Sequence, residues 1–311
     1  MSTPLPASST KHLDVVLHSL PKDHLTVLQL RQISATASTG RNGTTESGST
    51  GTTGTTLWLG GQVLACYLSS LPAAPIPTPT PTPTVPTPPT ASYGQRKCAV
   101  ELGAGVGYLS LVLASLGYDE TSTDIPPVLD AVLAPNVADG LDRLTRRVAT
   151  PVFSGKVPAR DVTRTTGTTA VKDTIGAITV RELDWLCPDL EVIKDLRPDL
   201  IVTSDTIYHP ALVPALFGTI ARLSATSVSA GKKPPTVYLC LERRDSRMVD
   251  AALSQAASFG VQLKRIGHGR VAKSVERAGW AWKEEDWEGV EVYKGKWTGS
   301  HETEQDASHL A

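Results

Sequence analysis

Residues 98–108 read Cys98-Ala99-Val100-Glu101-Leu102-Gly103-Ala104-Gly105-Val106-Gly107-Tyr108, an apolar run holding one acid and followed by glycines at alternate positions. Residues 98–102 have the length and apolar character of a buried parallel strand, and residues 109–116 continue with helical character. Glycines between a strand and a helix permit a tight turn and close approach of backbone to a ligand, which then sits at the helix N-terminus. The stretch therefore reads as a nucleotide-binding turn in a βα unit. A dinucleotide fingerprint would need its third glycine at position 108, where this chain has Tyr108. A P-loop needs Lys followed by Ser or Thr after the last glycine, and none follows Gly107.

What is left is acid-x-Gly-x-Gly-x-Gly, which resembles the first motif of the seven-strand S-adenosylmethionine (SAM)-dependent methyltransferases. The resemblance implies that Gly103, Ala104, Gly105 and Gly107 form the cofactor turn and that Glu101 faces the ammonium group of SAM. A glycine-rich turn alone also suits a plain structural crossover. Downstream, Asp124 lies in Glu120-Thr121-Ser122-Thr123-Asp124-Ile125-Pro126-Pro127, where a second strand is expected to end. A carboxylate there can accept hydrogen bonds from both ribose hydroxyls. Its alternative role is to cap a helix beginning near Pro127.

Composition bounds the rest. At 311 residues and a formal net charge of −1, the chain can hold one substantial α/β domain with insertions, and it has no charge excess pointing to nucleic acid or membrane. Its apolar stretches fall short of the roughly 20 residues that span a bilayer, and residues 1–11 lack the pattern of a signal peptide. A cytoplasmic protein, also compatible with the nucleus, is expected, as a monomer. Cys66, Cys98, Cys187 and Cys240 are scattered and read as reduced, buried thiols, and no metal-ligand spacing is present. His209 and His268 read as surface or loop residues.

Residues 34–56 are almost wholly Ser, Thr, Gly and Asn, and residues 72–90 alternate Pro and Thr, so both read as surface insertions. The expected organisation is an N-terminal cap over 1–71, a Pro/Thr linker over 72–92, a core over 93–297 with a polar insertion at about 150–174, and a disordered tail over 298–311. Residues 25–33 alternate as a strand and 57–68 carry helical spacing. Later strands are expected at 178–183, 199–204, 236–241, 261–266 and 290–294, with helices at 212–223 and 246–259. Strands alternating with helices imply a Rossmann-like, mostly parallel sheet with helices on both faces and ligands at the strand carboxyl ends.

Several segments then recur in order: Val100-Glu101-Leu102 with the glycines, Asp124-Ile125-Pro126, Leu183-Asp184-Trp185, Asp205-Thr206-Ile207-Tyr208 ending the fourth core strand, and Leu241-Glu242-Arg243-Arg244-Asp245. Together they resemble the non-SET protein lysine methyltransferases of methyltransferase family 16, over residues 57–263 apart from the insertions. The resemblance implies Trp58 beside the cofactor, Trp185 stacked on adenine, and Ser204 in the cofactor site. It also implies Asp205 and Tyr208 at the transfer site, handling a lysine amine, and residues 242–245 shaping the substrate entrance. As bare residues, Trp58 and Trp185 are equally core aromatics, Asp205 a helix N-cap, and residues 242–245 a solvated charged helix start. The implied substrate is a lysine-containing intracellular protein of the elongation-factor or chaperone kind. A small-amine methyltransferase and a catalytically silent scaffold on the same fold are the alternatives. The fourth core strand lacks the Pro-Pro-aromatic run associated with adenine or glutamine substrates.

Overall fold

The computed structural model describes residues 3–33, 53–72, 96–149 and 174–299. Most of the two low-complexity segments, the insertion near 150–174 and the tail from residue 300 lie outside the described residues. Strands β1 (Val15–Leu20) and β2 (Asp23–Arg31) pair antiparallel as a separate hairpin. Helix α1 (Leu59–Ser70), β3 (Cys98–Leu102), α2 (Tyr108–Ser115) and β4 (Asp119–Asp124) follow. A short helix at Pro126–Val128 and a π-helical turn at Leu129–Leu133 lead into α3 (Ala134–Ala149). The chain then alternates β5 (Ile178–Glu182), α4 (Leu190–Asp195), β6 (Leu200–Ser204) and α5 (Leu212–Ser229). It closes with β7 (Thr236–Glu242), α6 (Ser246–Ser258), β8 (Val261–Arg265), α7 (His268–Arg277) and β9 (Val290–Trp297).

The large sheet has seven strands in the order β5-β4-β3-β6-β7-β9-β8. Neighbours from β5 to β7 are parallel, and β9 runs antiparallel between β7 and β8. This is the expected mostly parallel sheet. Alternation along its central strands makes two core layers: Leu200 and Val202 of β6 pack with α1 and α2, while Ile201 packs with Leu216 and Phe217 of α5. Each such side chain, fully buried, contributes about 1.5–3 kcal/mol. α5 is the one described helix long and apolar enough to cross a membrane. Its Val213, Leu216, Phe217, Ile220 and Leu223 are buried in the second layer.

The N-terminal segment is fastened to α1 by polar side chains. Gln62 accepts from the Ala7 N–H at 2.8 Å and donates to the Leu5 carbonyl at 3.0 Å and to His18 Nε2 at 2.7 Å. The His18 Nδ1–H is thereby assigned to the Ser19 carbonyl, and burial pushes the ring pKa down to about 4, so His18 is neutral. Gln32 donates to the carbonyls of Thr10 and Leu13 and accepts from the Leu57 N–H at 2.6 Å, clamping the Lys11 turn beside Trp58. Asn136, fully buried, bonds both backbone groups of Arg31 and the Val106 carbonyl, tying hairpin and glycine turn to α3.

β4 departs from the apolar pattern of its neighbours. It reads Asp-Glu-Thr-Ser-Thr-Asp, yet Glu120, Ser122 and Thr123 are buried. Thr123 donates to the Glu101 carbonyl at 2.7 Å, and Ser122 to Ser110, which in turn donates to the Glu101 carboxylate. Among the described residues neither carboxyl oxygen of Glu120 has a hydrogen-bond partner. Burial, with the charge of Glu101 next, pushes Glu120 well above the ordinary carboxylate range. A carboxyl whose folded pKa is raised binds its proton more tightly folded than unfolded, so it costs stability as pH rises from the ordinary carboxylate range. Glu120→Gln is therefore expected to stabilise the protein by about 1–3 kcal/mol at pH 8 and by much less at pH 5, which urea denaturation at the two pH values checks.

Candidate cofactor and transfer site

The carboxyl ends of β3, β4, β6 and β7 border one cavity of about 550 Å³. β3 lies between β4 and β6, so the chain reverses direction across the sheet at this point. Open α/β sheets bind ligands in such a crevice. Gly103, Gly105 and Gly107 all hold positive φ, at 69°, 55° and 77°. A Cβ on Gly103 would stand 2.9 Å from the Thr206 methyl, and one on Gly105 3.0 Å from the Gly54 carbonyl. Glu101, Gly103, Ala104 and Gly105 line the cavity. Gly107 sits outside that lining, as N-cap of α2, packed where a Cβ would meet Leu133 and Val137.

Asp124 ends β4 at the cavity wall. Its Oδ2 accepts from the Gly105 N–H at 2.8 Å and its Oδ1 from the Ile125 N–H at 2.9 Å. Each oxygen keeps a further lone pair for a hydroxyl donor. It is not the N-cap of the following helix, whose N-cap is Ile125. Burial lifts its pKa to about 6 against those two bonds, so it is ionised at neutral pH. Glu101 is 1% exposed yet touches the cavity. Burial pushes it well above the carboxylate range, the Ser110 hydrogen bond opposes, and the charge of Asp124 adds to the rise. A ligand ammonium placed there would reverse that effect by favouring the ionised form.

Trp58 and Trp185 also line the cavity. The Trp185 ring would lie 3.2 Å from a Cβ on Gly103, and its buried Nε1 has no hydrogen-bond partner among the described residues. Asp184 accepts from the Leu186 N–H at 2.9 Å and serves the turn.

Asp205 stands directly after β6 with φ 57°, a left-handed conformation that Asp tolerates better than most residues. Its N–H bonds the Cys240 carbonyl at 2.8 Å, fixing it to β7. Its Oδ2 accepts from the Gly61 N–H at 3.2 Å, in the first turn of α1. Asp205 thus caps a helix distant in sequence. The helix after it, α5, has Ala211 at its N-cap. A Cβ on Gly60 would lie 2.5 Å from Oδ2, so the glycine pair is what admits the carboxylate. Burial raises the Asp205 pKa to about 6, held down by the Gly61 bond, and the group is ionised at neutral pH. Ser204 lines the cavity beside it, and Tyr208 reaches the mouth, 45% exposed.

Residues read as a solvated charged run take part here: Glu242, Arg244 and Asp245 line the mouth. Arg243 turns away to Glu291 and Asp250, both at 2.9 Å. Asp245 also caps α6 through the Met248 N–H. Thr206 and Leu241, from the same recurring segments, also line the wall, and Met248 and Val249 join them without any signal in the sequence. The Gly60-Gly61 pair did carry one, because two glycines at a helix start weaken it unless backbone must approach something closely. Cys66 and Cys240 are buried and Cys98 is intermediate, but Cys187 is exposed, correcting the expectation that all four are buried. It lies in the open turn after Trp185, outside β5 and α4. Among the described residues no group of His, Cys, Asp or Glu could hold a metal ion.

These residues fit SAM: two hydroxyl acceptors on Asp124, an acid for the ammonium at Glu101, aromatic walls, and a glycine cradle that side chains would fill. A family model described as lysine methyltransferase matches residues 161–252. The human protein-lysine N-methyltransferase EEF2KMT is 24% identical over 85 residues, 27% of this chain and 25% of the relative. A human candidate protein N-methyltransferase, FAM86B2, is 24% identical over 91 residues, 29% of this chain and 27% of the relative. The chain thus matches about a quarter of the length of these curated relatives. Among solved structures, the CcbJ methyltransferase from Streptomyces caelestis is 12% identical, with a TM-score of 0.39 over 77% of this chain and 90% of that one. The N-methyltransferase NodS from Bradyrhizobium japonicum, in complex with S-adenosylhomocysteine, is 12% identical, with a TM-score of 0.37 over 76% and 85%. The family match bears out the resemblance over residues 161–252, which hold Trp185 and the acid-x-x-Tyr segment; the glycine turn and Asp124 lie before the matched residues.

Gly60→Ala is expected to destabilise by roughly 1–3 kcal/mol, through displacement of the Asp205 carboxylate and loss of the α1 cap. In an Asp205→Gly background the same change should cost much less, and thermal unfolding of the four proteins in this cycle measures the coupling.

Proposed function

We propose that this chain is a SAM-dependent methyltransferase acting on a lysine side chain of a protein. The observation that carries the reading is that the glycine turn, Asp124 and the acid-x-x-Tyr segment, far apart in sequence, border one cavity. SAM, when bound, supplies an electrophilic methyl on a sulfonium. The chain's own residues then have separable tasks. Asp124 holds the ribose hydroxyls, Glu101 the ammonium, and Trp185 and Trp58 bound the ring systems. Asp205, ionised above pH about 6, orients an incoming lysine ammonium, and Tyr208 guides the side chain at the mouth. The rate gain comes chiefly from alignment, because a displacement at a methyl carbon needs the amine held in line and close. An amine with an ordinary pKa of about 10.4 must also shed its proton before it can attack.

The target is a lysine-containing protein, with elongation factors and chaperones the kinds implied by the family resemblance. The proposal includes a monomer in the cytoplasm or nucleus. Methylation of short amines without a protein acceptor would favour the small-amine alternative. Folded wild type that fails to bind SAM would favour the scaffold.

Calorimetry is expected to show SAM binding by wild type, weakened at least tenfold by Asp124→Ala, about 1.4 kcal/mol, and abolished by Gly105→Arg, with all three proteins folded. Because Glu101 must ionise to meet an ammonium, affinity should rise as pH climbs above the ordinary carboxylate range, and Glu101→Gln should remove that slope.

Asp205→Asn, which keeps the left-handed backbone conformation, is expected to lower methyl transfer to a lysine peptide at least tenfold while changing SAM affinity less than about twofold. Wild type should lose rate as pH falls through about 6, where Asp205 gains its proton, and the variant should lack that limb in a pH–rate profile.

A further inference from the structure

Lys11 is the one lysine of the described residues whose ammonium meets a ring that lines the cavity. Its Nζ stands 4.2 Å from the ring centroid of Trp58, and the Arg244 guanidinium lies 4.9 Å from the same ring. Trp58, Arg244, Glu242 and Asp205 all line the cavity. The charges of Asp205 and Glu242 both act on Lys11, which places its amine within electrostatic reach of the acid proposed to orient a substrate lysine. The backbone beneath it is fixed, since Gln32 bonds the carbonyls of Thr10 and Leu13 and holds the Leu57 N–H next to Trp58.

We infer that Lys11 is an internal methyl acceptor, modified by its own chain's transfer site. The inference rests on the methyltransferase reading and names a substrate for that same site. A flexible four-carbon stem on an anchored turn lets Nζ move within the mouth while the backbone stays in place. Burial, and then the neighbouring Arg244, push the Lys11 amine below the ordinary lysine range, which eases loss of the proton that attack requires. In the transfer, neutral Nζ forms a bond to the sulfonium methyl carbon as the carbon–sulfur bond breaks. The bonding pair stays on sulfur as a neutral thioether and nitrogen becomes a methylammonium; the one proton released is the one the Lys11 ammonium gives to Asp205 or water before attack. A methylated Lys11 keeps its positive charge and its place over Trp58. It would therefore still stand where an incoming lysine must pass.

The test uses the full chain with SAM carrying a deuterated methyl group and no other protein or amine. Peptide mass spectrometry is expected to find label on Lys11, at a first-order rate unchanged by tenfold dilution of the protein. Lys11→Arg should lose that label while its SAM affinity by calorimetry stays within about twofold of wild type. A readout without turnover is competitive acetylation against pH, in which the Lys11 amine should titrate below free lysine. A chain that binds SAM yet leaves Lys11 unlabelled, or a Lys11 amine that titrates no lower than free lysine, overturns this inference and leaves the proposed function standing. A folded chain that does not bind SAM overturns both.

Discussion

The hydrogen bond from the Gly61 N–H to the Asp205 carboxylate joins the two halves of the site. A helix N-terminus presents unsatisfied N–H groups and partial positive charge, so a carboxylate is its natural partner. Here that carboxylate comes from the end of β6, held in a left-handed conformation by its own bond to β7. The capping residue is also the acid at the proposed transfer site. One interaction thereby sets the distance between Trp58, which precedes α1, and Tyr208, which follows β6. Gly60 and Gly61 exist at the cost of helix propensity because any side chain at position 60 would push the carboxylate out.

Buried acids organise the other half. Glu101 and Asp124 both face the cavity, and Glu120 lies behind with no hydrogen-bond partner among the described residues. Burial raises the pKa of all three, and the charge of Asp124 opposes ionisation of Glu101 as that of Glu101 opposes ionisation of Glu120. A neutral ligand would leave that tension unchanged. A ligand carrying an ammonium and a sulfonium would relieve it, so the electrostatics of the sheet end favour a cationic cofactor for reasons independent of the glycine turn. The polar ladder through Ser110 and Ser122 keeps Glu101 oriented meanwhile.

Much of this was legible in the chain. Apolar runs such as 200–204 and 236–242 are buried on both faces, and continuous burial is what a central parallel strand writes into sequence. β4 carries no such signature, and only the position of Asp124 after the glycine turn pointed to it. α7 was missed because Val271 and Val275 are its only buried apolar side chains on an otherwise charged helix. β1 was missed because Val15 and Leu17 are apolar on its exposed side, which erases the alternation. In the site, the residues whose chemistry is intrinsic were readable: glycines, acids and tryptophans. Met248 was not, since it matters only through where the fold delivers it. The capping of α1 by Asp205 was also invisible, because it links positions 144 residues apart.

The account turns on a cationic nucleoside cofactor lying between Asp124 and the Gly60–Asp205 junction. A crystal structure of the protein with S-adenosylhomocysteine tests this most directly. The ribose hydroxyls should bond the two oxygens of Asp124, the amino group should meet Glu101, and the sulfur should point toward Asp205 and Tyr208. Ligand bound elsewhere on the molecule, or bound here with its ribose away from Asp124, would contradict the account.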